Sequence, residues 1–453
     1  MHLDQIEPFR TLDFALDEAE AERVVMSVPL IIEKIYKNRI KPKLDAPRVQ
    51  LMLKVPGLRN LVYKKVRDQI YEVFGGRYKE LVIGGVALTL RNLPAASGAF
   101  QRAVEMDPQL VDAWLMLARI HDLKKTEAPL VPQMVSVPTP GDQEILIRVA
   151  ACGVCHTELD EIEGRTPPPD LPMTPGHQVV GTVVREGAAC RLGLLGQRVG
   201  VAWIHSVCGD CRWCRQGREN LCPHFHATGR DRPGGYAEYM TIPEGFAHVI
   251  PDAIGDLEAT PLLCAGAVGY RALSLCRLSN GQRLGLTGFG ASGHLVLQMA
   301  QHLLPDSPVF VFARSAKERA FALELGATWA GDTRDRPGEL LDAIIDTTPA
   351  WLPVIAAMEA LAPGGRLVIN AIRKEADDRD RLLDLDYERH LWREKTLTTV
   401  ANVTRNDVRA CLELAATIPL RPSVTPFRLD QANQALLELR QGHVRGAKVL
   451  END

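Results

Sequence analysis

A formal charge of only -3 over 453 residues leaves no basic surplus. Neither nucleic acid nor an anionic membrane is therefore an expected partner. Long apolar runs are missing as well. Uncharged stretches such as 81–90 fall well short of the roughly 18 residues that a membrane span needs. The start of the chain carries Asp4, Glu7, Asp13, Asp17 and Glu18, with no basic segment leading into an apolar one. No secretory signal is expected, and the expected setting is cytoplasmic. Residues 1–93 hold no cysteine, so no disulfide framework organises that stretch.

The ten cysteines lie further on, and they are clustered. Cys208-x2-Cys211-x2-Cys214-x7-Cys222 puts four thiols into one short lobe. Four thiolates suit tetrahedral zinc, and a closed four-sulfur shell leaves no position for a substrate. The lobe is therefore expected to hold a structural zinc that clamps a loop too small to bury its own core. Cys190, Cys276 and Cys411 each sit alone among apolar residues and are expected to be ordinary packed thiols.

A second set is dispersed. Cys155 lies in Gly153-Val154-Cys155-His156-Thr157, His177 in Pro175-Gly176-His177-Gln178 and Cys264 in Leu262-Leu263-Cys264-Ala265-Gly266. Two thiolates and one imidazole fill three corners of a tetrahedron and leave the fourth for water or an alcohol oxygen, as a catalytic zinc requires.

From about residue 126 the texture is that of short strands alternating with helices, which implies a parallel sheet with right-handed crossovers. A strand ending at Thr287 runs into Gly288-Phe289-Gly290-Ala291-Ser292-Gly293 and then a helix. That context fits a dinucleotide turn: Gly288 for the tight bend, Gly290 for close approach of the pyrophosphate and Gly293 for helix packing. The acidic residue expected about 20 positions later, to hold the adenosine ribose, is missing. Ala313-Arg314-Ser315 stands there, with Lys317 and Arg319 close by. An absent acid and a guanidinium favour a 2'-phosphate, hence NADP over NAD. The alternative role for Arg314 is stacking on adenine.

Together and in this order, these motifs resemble the zinc-containing medium-chain dehydrogenase/reductase family, particularly its bacterial alcohol dehydrogenases. The resemblance runs through 127–453. It also includes Gly234-Gly235-Tyr236-Ala237-Glu238-Tyr239, Ala401-Asn402-Val403-Thr404-Arg405 and Arg445-Gly446-Ala447-Lys448-Val449-Leu450. It implies an α/β protein: a GroES-like, β-rich catalytic domain (126–264), a Rossmann domain with a doubly wound parallel sheet (265–399) and a return segment to the catalytic domain (400–453). It also implies two zinc ions, one catalytic and one structural, with Cys155, His177 and Cys264 as catalytic ligands. Thr157 is then the proton-relay hydroxyl, with His156 or the cofactor ribose passing the proton outward. The implied reaction interconverts a small-molecule alcohol and its aldehyde or ketone by hydride exchange with NADP or NAD. Trp203 and His205 suit a pocket for a medium or aromatic alcohol. Two rivals are an aldehyde reductase of cinnamyl-alcohol type and a non-catalytic zinc-stabilised protein that keeps the fold. The family also suggests a homo-oligomer.

Three departures from the family pattern stand out. Gln178 follows His177 where glutamate is common, removing a negative charge near the metal. Glu158 follows Thr157 where aspartate is usual. The family's first strand has no clear counterpart at 121–125, which leaves an expected unpaired edge.

The first 125 residues differ in character and are expected to form a mostly helical extension. Val28-Pro29-Leu30-Ile31-Ile32-Glu33-Lys34-Ile35-Tyr36-Lys37 and Phe74-Gly75-Gly76-Arg77-Tyr78-Lys79-Glu80-Leu81-Val82-Ile83-Gly84-Gly85 resemble a piece of the long-chain acyl-CoA synthetases. That family's phosphate loop and adenylate-binding Thr-Glu motif are both missing, so 1–93 is expected to be non-catalytic. Residues 94–122, with Ala103 and an Asp107-Pro108 turn, resemble a single tetratricopeptide-like helix pair. One such pair cannot build a continuous core, so it is expected to serve as a connector.

Overall fold

The computed structural model describes residues 130–418, 420, 422–441 and 446–452. The expectations for 1–125, including the missing first strand, lie outside the described residues.

β1 (Glu144–Val154) leads directly into α1 (His156–Ile162). β2 (Val179–Glu186), β3 (Arg198–Val201), β4 (Ile204–Ser206), a four-residue helix α2 (Arg212–Arg215), β5 (His226–Ala227), β6 (Tyr239–Pro243) and β7 (Ala247–Val249) follow. A seven-stranded sheet forms in the order β14-β15-β1-β2-β3-β7, with β6 also pairing β1. Its last members come from the far end of the chain: β14 is Val424–Arg428 and β15 is Ala447–Glu451. β15 pairs antiparallel with β1, from Ala151 opposite Glu451 to Val154 opposite Lys448. Inward residues of these strands, including Ile145, Ile147, Val179 and Val199, are fully buried. Each such side chain contributes about 1.5–3 kcal/mol.

α3 (Asp256–Pro261), a π-helical turn (Leu262–Gly266) and α4 (Ala267–Cys276) make one continuous helical run. By length and composition this run could cross a membrane, but it is 61% buried inside the protein and serves as a core helix. It leads to a second sheet built from β8 (Leu284–Thr287), β9 (Val309–Phe312), β10 (Trp329–Gly331), β11 (Leu341–Asp346), β12 (Leu361–Ile369) and β13 (Thr396–Thr399). Helices α5 (Ala291–Leu303), α6 (Ala316–Glu324) and α7 (Leu352–Ala360) connect these strands; α8 (Arg405–Thr417) and α9 (Ala432–Arg440) follow them.

The order of the second sheet is β10-β9-β8-β11-β12-β13, and its pairings are parallel. The chain builds outward from β8 in one direction and then restarts at β11 in the other. That reversal opens a crevice beyond the carboxyl ends of β8 and β11, where such folds bind dinucleotides. β8 and β9 are buried at every position, as strands covered on both faces must be.

Candidate catalytic and cofactor sites

Cys155 is the N-cap of α1, so its sulfur already faces the helix start. It accepts a hydrogen bond from the Thr157 N–H at 3.3 Å, and Glu158 closes the capping box by accepting from the Cys155 N–H at 2.9 Å. Thr157 is buried and His156 is exposed. His177 follows Gly176, whose φ of 99° favours glycine. A Cβ on Gly176 would lie 2.4 Å from the Tyr236 ring. The Gly234-Gly235-Tyr236 motif grips this loop, because Gly235 N–H donates to Gly176 O and Tyr236 N–H to Pro175 O. Cys264 sits in the π-helical turn, a local widening common at functional sites.

These three side chains converge. Cys155 Sγ lies 3.7 Å from His177 Nε2, Cys264 Sγ lies 3.3 Å from the same nitrogen, and all three donors fall within 4.8 Å of one another. Tetrahedral bonds of about 2.3 Å to sulfur and 2.0 Å to nitrogen separate donors by about 3.5–3.8 Å, so the set fits zinc. The charges fit as well. The hydrogen bond with Cys264, together with burial, pushes the Cys155 thiol well above its ordinary range. A divalent cation is what would let both thiols ionise.

Glu158 holds the imidazole from behind: its Oε1 lies 2.5 Å from His177 Nδ1, and both side chains are fully enclosed. Burial opposes the charge on Glu158, yet His177 keeps the carboxyl below its usual range. His177 responds in the opposite direction: burial pulls it down, but Glu158 and Cys155 carry it well above its ordinary value. The longer side chain at 158 is thus accommodated, with one oxygen on the ligand and one on the helix cap.

Glu161 was not visible to sequence reasoning. It lies one turn beyond Thr157 and is 5% exposed, with neither carboxylate oxygen hydrogen-bonded. Burial and the charge of Glu158 push it up to about 8. Glu161 is therefore mostly protonated at neutral pH, and this second buried acid, which feels both Glu158 and His177, does not replace the negative charge absent at Gln178. Only the acidic run Glu158-Leu159-Asp160-Glu161 hinted at it, and a charge run is ordinarily a solvated face.

The four-cysteine lobe also converges. Sulfur separations are 3.5 Å for Cys211–Cys214 and Cys222–Cys208 and 3.9 Å for Cys208–Cys214. All four atoms lie within 4.8 Å of one another. α2 buries none of its residues, so the lobe has little core beyond these sulfurs. The Cys214 N–H draws the Cys211 thiol down to about 7, whereas burial and Cys211 push Cys214 up to about 12. Glu219, bonded by Arg405, and Asn220, donating to Ala401 O, tie the lobe to the segment leading into α8.

The glycine turn closes the crevice. Gly288 has φ 81°, and a Cβ there would lie 2.6 Å from Thr347 Oγ1. A Cβ on Gly293 would lie 2.7 Å from Gly288 O, so the helix packs directly on the turn. A Cβ on Gly290 would meet nothing within 4 Å, so this side of the turn is open. Beneath the crevice, Asp346 accepts from Thr287 Oγ1 at 2.7 Å and pairs with Lys374. Nearby, Asn370 Oδ1 is buried without a partner. At the end of β9, Arg314 and Ser315 are exposed, and Arg319 donates to the carbonyls of Ala313 and Arg314. Away from the turn, Trp203 packs against Phe225 with tilted rings at a centroid distance of 5.3 Å, and its indole N–H is unpartnered. His205 is buried and drawn down to about 4 by desolvation.

Comparison with known proteins agrees with this geometry. Residues 141–252 match the alcohol dehydrogenase GroES-like domain. The "Probable alcohol dehydrogenase AdhA" of Mycobacterium tuberculosis is 42% identical over 327 residues, covering 71% of this chain and 92% of that protein. An alcohol dehydrogenase of Geobacillus stearothermophilus is 31% identical, over 74% of this chain and 98% of its own. Among solved structures, a cinnamyl alcohol dehydrogenase from Sorghum bicolor superposes with a TM-score of 0.62 at 27% identity, covering 71% of this chain and 94% of that one. The chain belongs to the zinc-type, medium-chain alcohol dehydrogenase family, an oxidoreductase with a GroES-like domain and a Rossmann-like parallel sheet.

Proposed function

We propose a zinc-dependent alcohol dehydrogenase that prefers NADP(H). The observation that carries this is the convergence of Cys155, His177 and Cys264, joined to the cofactor turn through one hydrogen bond from Ser292 Oγ to Ala265 O at 3.1 Å. Residues 126–264 and 400–453 act as the catalytic domain and 265–399 as the cofactor domain, a division supported by the pairing of β15 with β1. Cys208, Cys211, Cys214 and Cys222 hold the structural ion.

When bound, zinc supplies a Lewis acid at the substrate oxygen, and the nicotinamide accepts or returns hydride. The chain's own groups do the rest. Cys155, His177 and Cys264 present three donors and keep one face free. Glu158 fixes the imidazole so that Nε2 faces the two sulfurs. Thr157 accepts a hydrogen bond from the substrate oxygen and moves its proton, and the exposed His156 beside it passes the proton outward. The backbone at Gly288, Gly290 and Gly293, with the start of α5, receives the pyrophosphate. Arg314, with no acid at the end of β9, supports a 2'-phosphate.

The test is metal analysis combined with NADPH and NADH oxidation against a panel of small aldehydes, run on the parent and Thr157→Ala. The proposal requires bound zinc, faster turnover with NADPH and a large loss in Thr157→Ala. A zinc-loaded parent with no turnover would instead favour a non-catalytic protein of this fold.

A further inference from the structure

The segment following β12 contains three consecutive ties that the reaction above does not use. Asn370 Nδ2 donates to Ser292 Oγ at 3.2 Å, inside the glycine turn, and Ser292 Oγ in turn donates to Ala265 O, next to Cys264. Lys374 pairs with the buried Asp346 and donates to Thr348 O at 2.8 Å and Ala350 O at 2.9 Å. Asp378 then accepts from the Trp351 and Leu352 N–H groups at the start of α7. The segment is thus fixed to the floor of the crevice.

Between these anchors, Arg373 reaches out to Asp160 on α1, 213 residues away in sequence. Arg373 Nε lies 2.8 Å from Asp160 Oδ1 and 3.0 Å from Oδ2. The Asp160 side chain is only 1% exposed, so solvent does little to weaken the pair. Arg165 Nε also holds Asp160 at 2.5 Å, and Arg440 holds Glu163 at 2.6 Å. α1 is capped by Cys155 and carries Thr157. Arg373 therefore connects the helix that bears one metal ligand to a segment that also contacts the cofactor turn and, through Ser292, the turn bearing Cys264.

We propose that the Arg373–Asp160 pair is a clamp across the cofactor crevice that sets the distance between α1 and the glycine turn, making Arg373 a positioning residue for hydride transfer. This deepens the alcohol dehydrogenase reading and rests on it. Reacting atoms must sit about 3–3.5 Å apart, and a misplacement of about 1 Å can cost 100-fold in rate. A rigid strut between the two halves of the site guards against that error.

The full-length zinc-loaded chain is compared with Arg373→Ala, Arg373→Lys and Asp160→Asn. Three readouts are taken: the NADPH dissociation constant without substrate, the deuterium isotope effect on kcat with a dideuterated alcohol, and amide hydrogen exchange across 156–162. In Arg373→Ala, the NADPH constant should rise about tenfold, the isotope effect should grow as hydride transfer becomes rate-limiting, and exchange in α1 should accelerate while zinc content stays at the parent's. Arg373→Lys should recover part of each change, because the charge persists but the guanidinium fork does not. Asp160→Asn should resemble Arg373→Ala. If Arg373→Ala stays within twofold of the parent on all three readouts, the clamp is wrong. A parent that neither binds NADPH nor turns over would overturn the enzyme reading instead; the exchange data alone would then decide whether the pair holds α1.

Discussion

Replacing Glu158 with Gln keeps the shape of the side chain and removes its charge. Glu158 uses both oxygens: one accepts from the Cys155 N–H at 2.9 Å and the other lies 2.5 Å from His177 Nδ1. Both partners are donors when His177 presents Nε2 to the metal. An amide has only one acceptor, so in either orientation its NH2 faces a donor. If it faces His177, the imidazole can relieve the conflict only by moving its proton to Nε2, the atom that must ligate. The lost contact is a fully buried, charge-assisted pairing of carboxylate and imidazole, worth about 1.5–3 kcal/mol. Loss of such outer support typically weakens metal binding about 10–100-fold. The assay is competition for zinc with a chromophoric chelator, followed by restoration of activity with added zinc. One of the two zinc ions should leave 10–100-fold more readily, with the other unchanged. If Glu158→Gln holds both ions as tightly as the parent, the role given to this carboxylate is refuted.

Four further outcomes are expected. Arg314→Ala should raise the KM for NADPH about 10-fold or more and leave that for NADH within about twofold, because the guanidinium is matched to a 2'-phosphate; equal effects on both would favour stacking on adenine. Gly293→Ala should weaken binding of either cofactor, since its Cβ would press on Gly288 O at 2.7 Å, and isothermal titration would detect this. Cys222→Ser should release the structural ion and lower Tm sharply, because α2 buries no residue of its own; an unchanged Tm with one zinc lost would contradict the structural role. Glu161 binds a proton in the folded chain up to about pH 8, against 4.5 for a free side chain. The native state therefore holds more protons than the unfolded state within that window, and stability falls as pH rises through it. Glu161→Gln should flatten this slope, recovering about 2–3 kcal/mol between pH 6 and 8 in urea unfolding of the metal-free protein.

What could be read from the sequence was chemistry confined to a short stretch or to a familiar local context. The four-cysteine spacing compresses a whole site into 15 positions. The glycine turn announces itself because each glycine serves backbone geometry, which leaves a residue-level mark. The dispersed candidates Cys155, His177 and Cys264 stood out only through their neighbours, such as the Gly176-His177 turn. Contacts across the fold left no such mark. Arg373 and Asp160 meet across 213 positions, and neither has a local pattern that names the other. Glu161 resembled one more surface acid because burial depends on where α1 docks. The π-helical turn that carries Cys264 is a backbone detail that apolar periodicity cannot distinguish from an ordinary helix.

The most direct test is the zinc content of the parent, His177→Ala and Cys211→Ser, measured alongside NADPH-linked turnover. Two ions per chain in the parent, loss of one ion and all turnover in His177→Ala, and loss of one ion with turnover surviving at low temperature in Cys211→Ser would match two separate sites with separate duties. Full turnover by His177→Ala, or by a parent stripped of zinc, would contradict the claim that Cys155, His177 and Cys264 form the reactive centre.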